Sequence, residues 1–263
     1  EFVAGTYTVT PMMNYESLLD AFKEKKVRGT IELTIPEGYT TDEIIDLFVS
    51  NGIGTKEGFV DVIQNYDFDY WFVKEIPSDW KESGRFYRLD GYLFPDTYEF
   101  YNESSERAVI EKLLARFNVI FGKKYREAAD TMGMSVDDIV IIASMVEKEA
   151  GRAADYHLVS SVFHNRLKNS SYPYLESCAT VQYVLGERKK VISIADTKID
   201  NKYNTYKYKG LPPGPIANPG LDSIKATLYP SDTDYLFFAL QEDGTHKFSK
   251  TYEEHLKTPK INP

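Results

Sequence analysis

The first third of the chain alternates between strand-like and helix-like patterns. In "IELTIP", apolar Ile31, Leu33 and Ile35 alternate with polar residues, and this period of two predicts a half-buried strand. Two amphipathic helices follow it, and the first begins at a capping box of Thr40 and Glu43. Upstream, the patterns predict a strand over residues 5–10 and a helix over residues 14–26.

Longer helices are predicted in the rest of the chain. The aromatic, turn-rich "RLDGYLFPDTYEF" predicts an extended connector, and helices are expected over 105–130, from a cap at Ser135 to Glu149, and over about 153–168. Beyond them "GLPPGPIANPG" marks a turn-rich region, which a strand at 235–240 and a C-terminal helix follow.

These elements predict an α+β protein in three parts. An N-terminal region, 1–85, contains a small strand–helix–helix module at about 31–80; a connector follows at 86–104 and a larger domain at 105–263. For the small module, glycan binding and a purely structural packing role both remain open.

Composition excludes several classes of protein. The 263 residues are 42% hydrophobic and 27% charged, as in a folded domain. The net charge of −9 comes from residues 1–130, so no basic excess suggests nucleic-acid binding. Cys178 is the single cysteine, which rules out a disulfide within the chain, and no apolar run is long enough to span a bilayer. The opening "EFVAGTYTVT" resembles a strand already under way, so we expect a segment upstream.

The most informative acidic residues are in "ASMVEKEAG", residues 143–151. Glu147 and Glu149 lie on opposite flanks of the apolar stripe of the helix. The helical periodicity therefore hardly indicates which of the two is more buried. Small residues follow Glu149 and leave room for a ligand. On these nine residues alone, a solvated helix end is favoured over a catalytic acid.

Other candidate sites are weaker. His157 and His164 are seven residues apart, but no third ligand has metal-site spacing, so no metal or cofactor is expected. No partner near Cys178 indicates a nucleophile. The stretch "KIDNKYNTYKYKG", residues 198–210, either grips an acidic sugar chain or forms an exposed hairpin.

Several motifs in order resemble one known family. They are "GYLFPDTYEF", "IIASMVEKEA", "VSSVFHNRL", "ATVQY", "YNTYKYKGLPPGPIANPG" and "SIKATLYP". Together they are similar to the endolytic murein transglycosylase (YceG-like) family over nearly the whole chain, and "AGTY" and "IPEGYT" resemble the landmarks of its LysM-like region.

The resemblance implies a bacterial lyase that cuts the β-1,4 bond between N-acetylmuramic acid and N-acetylglucosamine inside a glycan strand. It implies a 1,6-anhydro product and Glu149 as the single general acid and base. One carboxyl is enough because the 6-hydroxyl of the sugar attacks C1 and no water needs to be activated. Two alternatives remain, a non-catalytic peptidoglycan-binding protein and a muramidase that hydrolyses the same bond.

The resemblance also implies the surroundings of the acid. Five residues are expected to bind substrate, and two more to support the catalytic helix: Gln182, Tyr183, Asn204, Thr205 and Tyr206, with Asn165 and Arg166 in support. The chain departs from the family at Asp90, where relatives carry Glu. It also departs in "ESCATVQY", where Glu176 and Cys178 replace the Gln and Asp of "QSDATVQY".

Finally, the resemblance implies partners and a location. Peptidoglycan strands are the expected partner, with cell-wall synthesis proteins as further ones, in cell-wall biogenesis, cell shape and division. The family's catalytic part lies outside the cytoplasmic membrane, anchored by one N-terminal transmembrane helix that would precede residue 1.

Overall fold

The computed structural model describes residues 7, 9–23, 29–187, 189 and 191–258. Its α-helices are α1 (Tyr15–Lys23), α2 (Thr41–Ser50), α3 (Lys56–Asn65), α4 (Trp71–Glu75), α5 (Trp80–Ser83), α6 (Glu106–Ile120), α7 (Lys123–Met132), α8 (Val136–Glu149), α9 (Tyr156–Lys168), α10 (Cys178–Leu185), α11 (Leu221–Leu228) and α12 (Tyr252–Leu256). Its strands are β1 (Thr30–Thr34), β2 (Thr97–Tyr101), β3 (Phe237–Leu240) and β4 (His246–Ser249). The predicted α+β class is confirmed.

Two small antiparallel sheets lie far apart in the sequence. β1 pairs with β2 in a register that runs from Thr30 opposite Tyr101 to Thr34 opposite Thr97, and β3 pairs with β4. The connector predicted at 86–104 therefore returns to the small module and adds a strand to it. The division into domains stays a prediction.

Helix α8 is the central element of the molecule. Except for the half-buried Asp138, every residue from Val136 to Val146 is buried, because opposite sides of the helix enter two different hydrophobic clusters. On one side Ile139 and Val140 join a cluster that also includes α2 and α6. On the other, Ile142, Met145 and Val146 pack with residues of α9 and of the turn at 203–216. The end of α8 is thus held from both sides.

The small module is fastened directly to the end of α8. Gly38 donates its N–H to the carbonyl of Asn218, and Asn218 donates its own N–H to Tyr39, at 2.9 and 2.8 Å. The buried Asn218 side chain also accepts from the Leu93 N–H at 2.9 Å. Lys148 donates to the Gly38 carbonyl at 3.1 Å.

Several sequence predictions need correction. The long helix over 105–130 is two helices, because Phe121 and Gly122 take non-helical ψ values of 54° and −175°. Residues 198–210 form turns and not a hairpin. Of the strand at 5–10, residues 7, 9 and 10 are described and none is in a strand, while residues 24–26 of the first helix lie outside the described residues. The sequence reading missed α4, α5, α10, α11 and β4.

Among the described residues, no helix is both long enough and apolar enough to cross a membrane.

Candidate active site at the end of helix α8

Glu149 is the last residue of α8, and its side chain is half-buried. Its Oε1 accepts hydrogen bonds from the Ser177 hydroxyl at 2.6 Å and from the Ala179 N–H at 3.0 Å. The Ala179 N–H belongs to the first turn of α10, where N–H groups lack partners within the helix and favour a negative charge. Ser177 does not cap α10 with its own side chain, so the carboxylate of Glu149 takes that place.

A thiol and a phenol lie beside this carboxylate. The Cys178 Sγ and the Tyr206 hydroxyl are hydrogen-bonded at 3.0 Å. Burial, and then the negative charge of Glu149, raise the pKa of the Cys178 thiol above its usual range. The thiol is therefore neutral near pH 7, which does not favour a nucleophilic role. Burial also raises the pKa of Tyr206, with Cys178 and Glu149 contributing in the same direction.

The loop that carries Ser177 is fixed by an unusual backbone conformation. Glu176 has a φ of 52° and is the one residue other than glycine with positive φ in the described part of the chain. Its carboxylate accepts from the buried Arg166 at 2.7 Å, and its N–H donates to the carbonyl of Thr205 at 3.2 Å. The left-handed conformation disfavours side chains by about 1–2 kcal/mol, so the neighbouring contacts hold it in place.

Asn204 and Thr205 lie beneath the surface. Asn204 is fully buried, and its side chain donates to two backbone carbonyls and accepts from the Tyr206 N–H at 3.1 Å. Thr205, 1% exposed, accepts from the Ser177 N–H at 3.0 Å and contacts the hydroxyl of Thr180 at 3.0 Å. Both residues therefore shape the site from below. Tyr206 of the "NTY" turn belongs to the group formed by Glu149, Ser177, Cys178, Ala179 and Tyr206, which we call the Glu149 cluster.

The two predicted residues of α10 differ in their surroundings. Gln182 is half-buried and donates to the Lys189 carbonyl at 3.3 Å. Tyr183 donates its hydroxyl to the Asp90 carboxylate at 2.5 Å, and its ring stacks on Phe86 with a centroid distance of 5.3 Å. The hydroxyl of Tyr183 is thus already occupied by a partner inside the protein.

Asp90 is a buried acid that the sequence reading noted only as a departure from the family. Its second oxygen accepts from the Thr41 hydroxyl at 2.5 Å, and the residue is 1% exposed. Burial raises its pKa to about 6, although the bonds from Thr41 and Tyr183 and the charge of Arg85 act against the rise. Asp90 therefore joins the start of α2 to α10.

The two supporting residues lie on α9 and hold neighbouring loops. The Asn165 amide donates to the carbonyls of Thr233 and Tyr235 at 2.7 and 3.0 Å. Arg166 donates to the Leu236 and Tyr174 carbonyls at 2.6 and 2.8 Å, besides Glu176. Their contacts fix residues 233–236 and residues 174–176, the second of which lead directly into Ser177.

Glu147 points to a different helix. Its Oε2 accepts from the Gly220 N–H at 3.0 Å and from the Ser223 hydroxyl, both at the start of α11, and its Oε1 accepts from Tyr156 at 3.2 Å. Glu147 therefore ties α8 to α11 and α9.

The histidines have backbone partners. Nδ1 of His157 contacts the Tyr229 carbonyl at 2.7 Å, and Nε2 of His164 contacts the Thr227 carbonyl at 3.0 Å. Burial lowers the pKa of His164, which keeps its ring neutral at pH 7. In the described ranges, no three His, Cys, Asp or Glu residues converge as metal ligands would.

Two depressions in the protein surface lie away from Glu149. One open depression lies along α3, and a second lies between residues 66–69 and the start of α6. Neither contains any of the residues predicted for the site. The Glu149 cluster is the better candidate because it combines a carboxylate, fixed donors and side chains from three separate segments.

The sequence reading missed Ser177 and Ala179, the two donors to Glu149. Ser177 was visible as the second residue of "ESCATVQY", two positions before the motif "ATVQY". Nothing in the sequence indicated that it meets Glu149, 28 residues away in the chain.

Comparisons with known proteins identify the family. The model of the YceG-like family matches residues 1–260. An "Endolytic murein transglycosylase" of Bacillus subtilis is 32% identical over 260 residues, covering 97% of this chain and 72% of that protein. A protein of the same name from Streptococcus pneumoniae serotype 2 is 34% identical, covering 96% of this chain and 49% of that one.

The fold is also similar to a solved structure. A crystal structure of a yceG-like protein of Listeria monocytogenes superposes with a TM-score of 0.77 at 35% sequence identity. The match covers 98% of this chain and 85% of that chain.

Proposed function

Because the chain belongs to the YceG-like family, we propose that it cleaves peptidoglycan strands internally as a lytic transglycosylase. The expectation of an enzyme of the lyase type is confirmed by relatives named endolytic murein transglycosylase. The proposed bond is the β-1,4 link between N-acetylmuramic acid and N-acetylglucosamine, and the proposed product carries a 1,6-anhydro end.

The observation that carries the proposal is the state of the Glu149 carboxylate. Oε1 is held by two donors, while Oε2 has no hydrogen bond to any described residue. A carboxyl with one fixed oxygen and one free oxygen can give a proton to a leaving group and later take one back. We propose Glu149 for both steps.

In the proposed reaction, Glu149 protonates the glycosidic oxygen as the C1–O bond breaks. The 6-hydroxyl oxygen of the same sugar then bonds to C1, and its proton returns to Glu149. Water takes no part in this sequence, so a second carboxyl is not required, whereas hydrolysis by the usual routes uses two.

We propose that the side chains around Glu149 have two kinds of role. Tyr206 and Gln182 are proposed to contact the glycan, since both side chains are only half-buried. Tyr183, Asn204 and Thr205 are proposed to act through the loops they hold, with Asn165 and Arg166 behind them.

The front of the molecule is proposed to be a LysM-like module. The support is an α+β unit that contains β1, α2 and α3. Its second strand, β2, pairs with β1 and lies after residue 80, where the sequence predicted the module to end. We also propose that the enzyme acts outside the cytoplasmic membrane on a membrane-anchored chain, together with cell-wall synthesis proteins in cell shape and division.

The test is digestion of purified glycan strands by the wild type, Glu149→Gln and Glu147→Gln, with the product ends identified by mass spectrometry. We expect anhydro ends, lighter than reducing ends by one water, from the wild type and none from Glu149→Gln. Reducing ends would indicate a muramidase. No products would favour a binding protein in which Glu149 only caps α10.

A further inference from the structure

The two oxygens of the Glu149 carboxylate are not equivalent in this fold. Oε1 receives the Ser177 hydroxyl and the Ala179 N–H, and Oε2 receives no donor from the described residues. Ser177 is 1% exposed, so its hydroxyl is committed to this contact and is shielded from solvent. A proton on this carboxyl would lie on Oε2, because Oε1 already accepts two hydrogen bonds.

We propose that Ser177 is a positioning residue that fixes Oε1 of Glu149 and so assigns both proton transfers to Oε2. This inference rests on the proposed function. The Oε2 proton passes to the glycosidic oxygen, which keeps the electron pair of the breaking C1–O bond. A lone pair of the 6-hydroxyl oxygen then forms the new bond to C1, and its proton returns to Oε2. The carboxyl ends as it began.

Ser177 can position Glu149 because its own backbone is held by neighbouring buried residues. Its N–H donates to the Thr205 hydroxyl at 3.0 Å, and the preceding Glu176 is held in its left-handed conformation by Arg166. The direction of the Ser177 hydroxyl therefore follows from the turn at Glu176, which is set by two buried residues outside α8. Departures of about 1 Å from the productive geometry can lower a rate about 10²-fold.

A purely structural role for Ser177 makes different predictions. If its hydroxyl only stabilises the start of α10, Ser177→Ala lowers the free energy of unfolding and leaves the chemistry of folded molecules unchanged. If it positions Glu149, the same variant changes kcat and the pH dependence of kcat. Loss of a donor disfavours the charged carboxylate, so the alkaline limb of the profile moves to higher pH.

The experiment compares wild type, Ser177→Ala, Ser177→Thr and Glu149→Gln on purified glycan strands, with kcat and KM measured across pH. For Ser177→Ala we expect kcat to fall about 10²-fold with KM unchanged and the alkaline limb raised. Ser177→Thr restores the hydroxyl, and both kcat and the limb are expected to return towards the wild type.

Two results would overturn the inference alone. One is a Ser177→Ala enzyme with the kcat and pH profile of the wild type while Glu149→Gln is inactive. The other is a Ser177→Ala enzyme with a lower unfolding midpoint, reduced activity and an unchanged limb, which indicates a structural role. A wild type that forms no anhydro ends, or Glu149→Gln that cleaves normally, overturns the proposed function and the inference with it.

Discussion

Glu147 and Glu149 are two residues apart on α8, yet each carboxylate binds the start of a different helix. Glu149 accepts from Ala179 in α10, and Glu147 accepts from Gly220 at the start of α11. Two carboxylates of one "EKE" sequence therefore have separate neighbours, and each can be tested against the other.

We expect Glu147→Gln to affect stability and Glu149→Gln to affect activity. In Glu147→Gln the uncharged amide weakens three hydrogen bonds, and we expect a loss of about 1–3 kcal/mol in the free energy of unfolding with cleavage retained. In Glu149→Gln, loss of general acid and base catalysis is expected to lower kcat about 10²–10⁴-fold. Denaturant unfolding and strand digestion on both variants check this, and equal activities would contradict it.

Asp90 is expected to make stability depend on pH between about 4 and 6. Its pKa is raised from 3.8 to about 6 in the folded protein, so the folded state binds the proton more tightly. The contribution of Asp90 to the free energy of unfolding is therefore fully present below pH 3.8, the pKa of the unfolded state, and is lost as the pH rises through about 6. The difference between the two pKa values corresponds to about 3 kcal/mol of stability.

Asp90→Asn isolates this contribution, because the amide has nearly the same shape and does not titrate. The measurement is denaturant unfolding of both proteins from pH 4 to pH 8. We expect the stability of the wild type to fall relative to the variant as the pH rises across this window. Parallel curves would show that Asp90 does not titrate there.

Arg166→Lys is expected to destabilise the loops beside Glu149. The guanidinium donates hydrogen bonds to the carbonyls of Leu236 and Tyr174 and to the carboxylate of Glu176. The ammonium group of a lysine cannot reproduce this planar arrangement of donors. A buried acceptor that loses its partner costs about 1–3 kcal/mol. The exposed Lys168, two residues on, is the matched control, and Lys168→Ala should change unfolding by less than about 0.5 kcal/mol.

Gly91→Ala is expected to be far more damaging than Gly52→Ala. Both glycines have positive φ, 86° and 78°, so both variants incur a backbone cost of about 1–2 kcal/mol. A methyl group on Gly91 would meet Val140 of α8 at 2.5 Å and Pro215 at 2.6 Å, whereas that on Gly52 meets nothing within 4 Å. Overpacking adds about 1–3 kcal/mol at Gly91. Unfolding midpoints check this, and equal losses would contradict it.

The starts of α2 and α8 could be predicted because the capping signals lie within a few residues of each start. The capping box of Thr40 and Glu43 starts α2 where expected, and Ser135 starts α8 in the same way. The helix α10 was missed because "CATVQYVL" is short and rich in β-branched residues. Packing and the carboxylate of Glu149 stabilise it, and neither is visible in a sequence window.

The sequence by itself determined the class of the fold, the family and the two glutamates worth testing, because caps, periodicity and motifs are properties of neighbouring residues. The family resemblance already implied Glu149 as the acid, and only the tertiary structure decided which groups each glutamate contacts. Glu149 meets Ser177 across 28 residues and Glu147 meets Gly220 across 73. Such contacts depend on how α8 packs against α10 and α11, and a single helix cannot specify its neighbours.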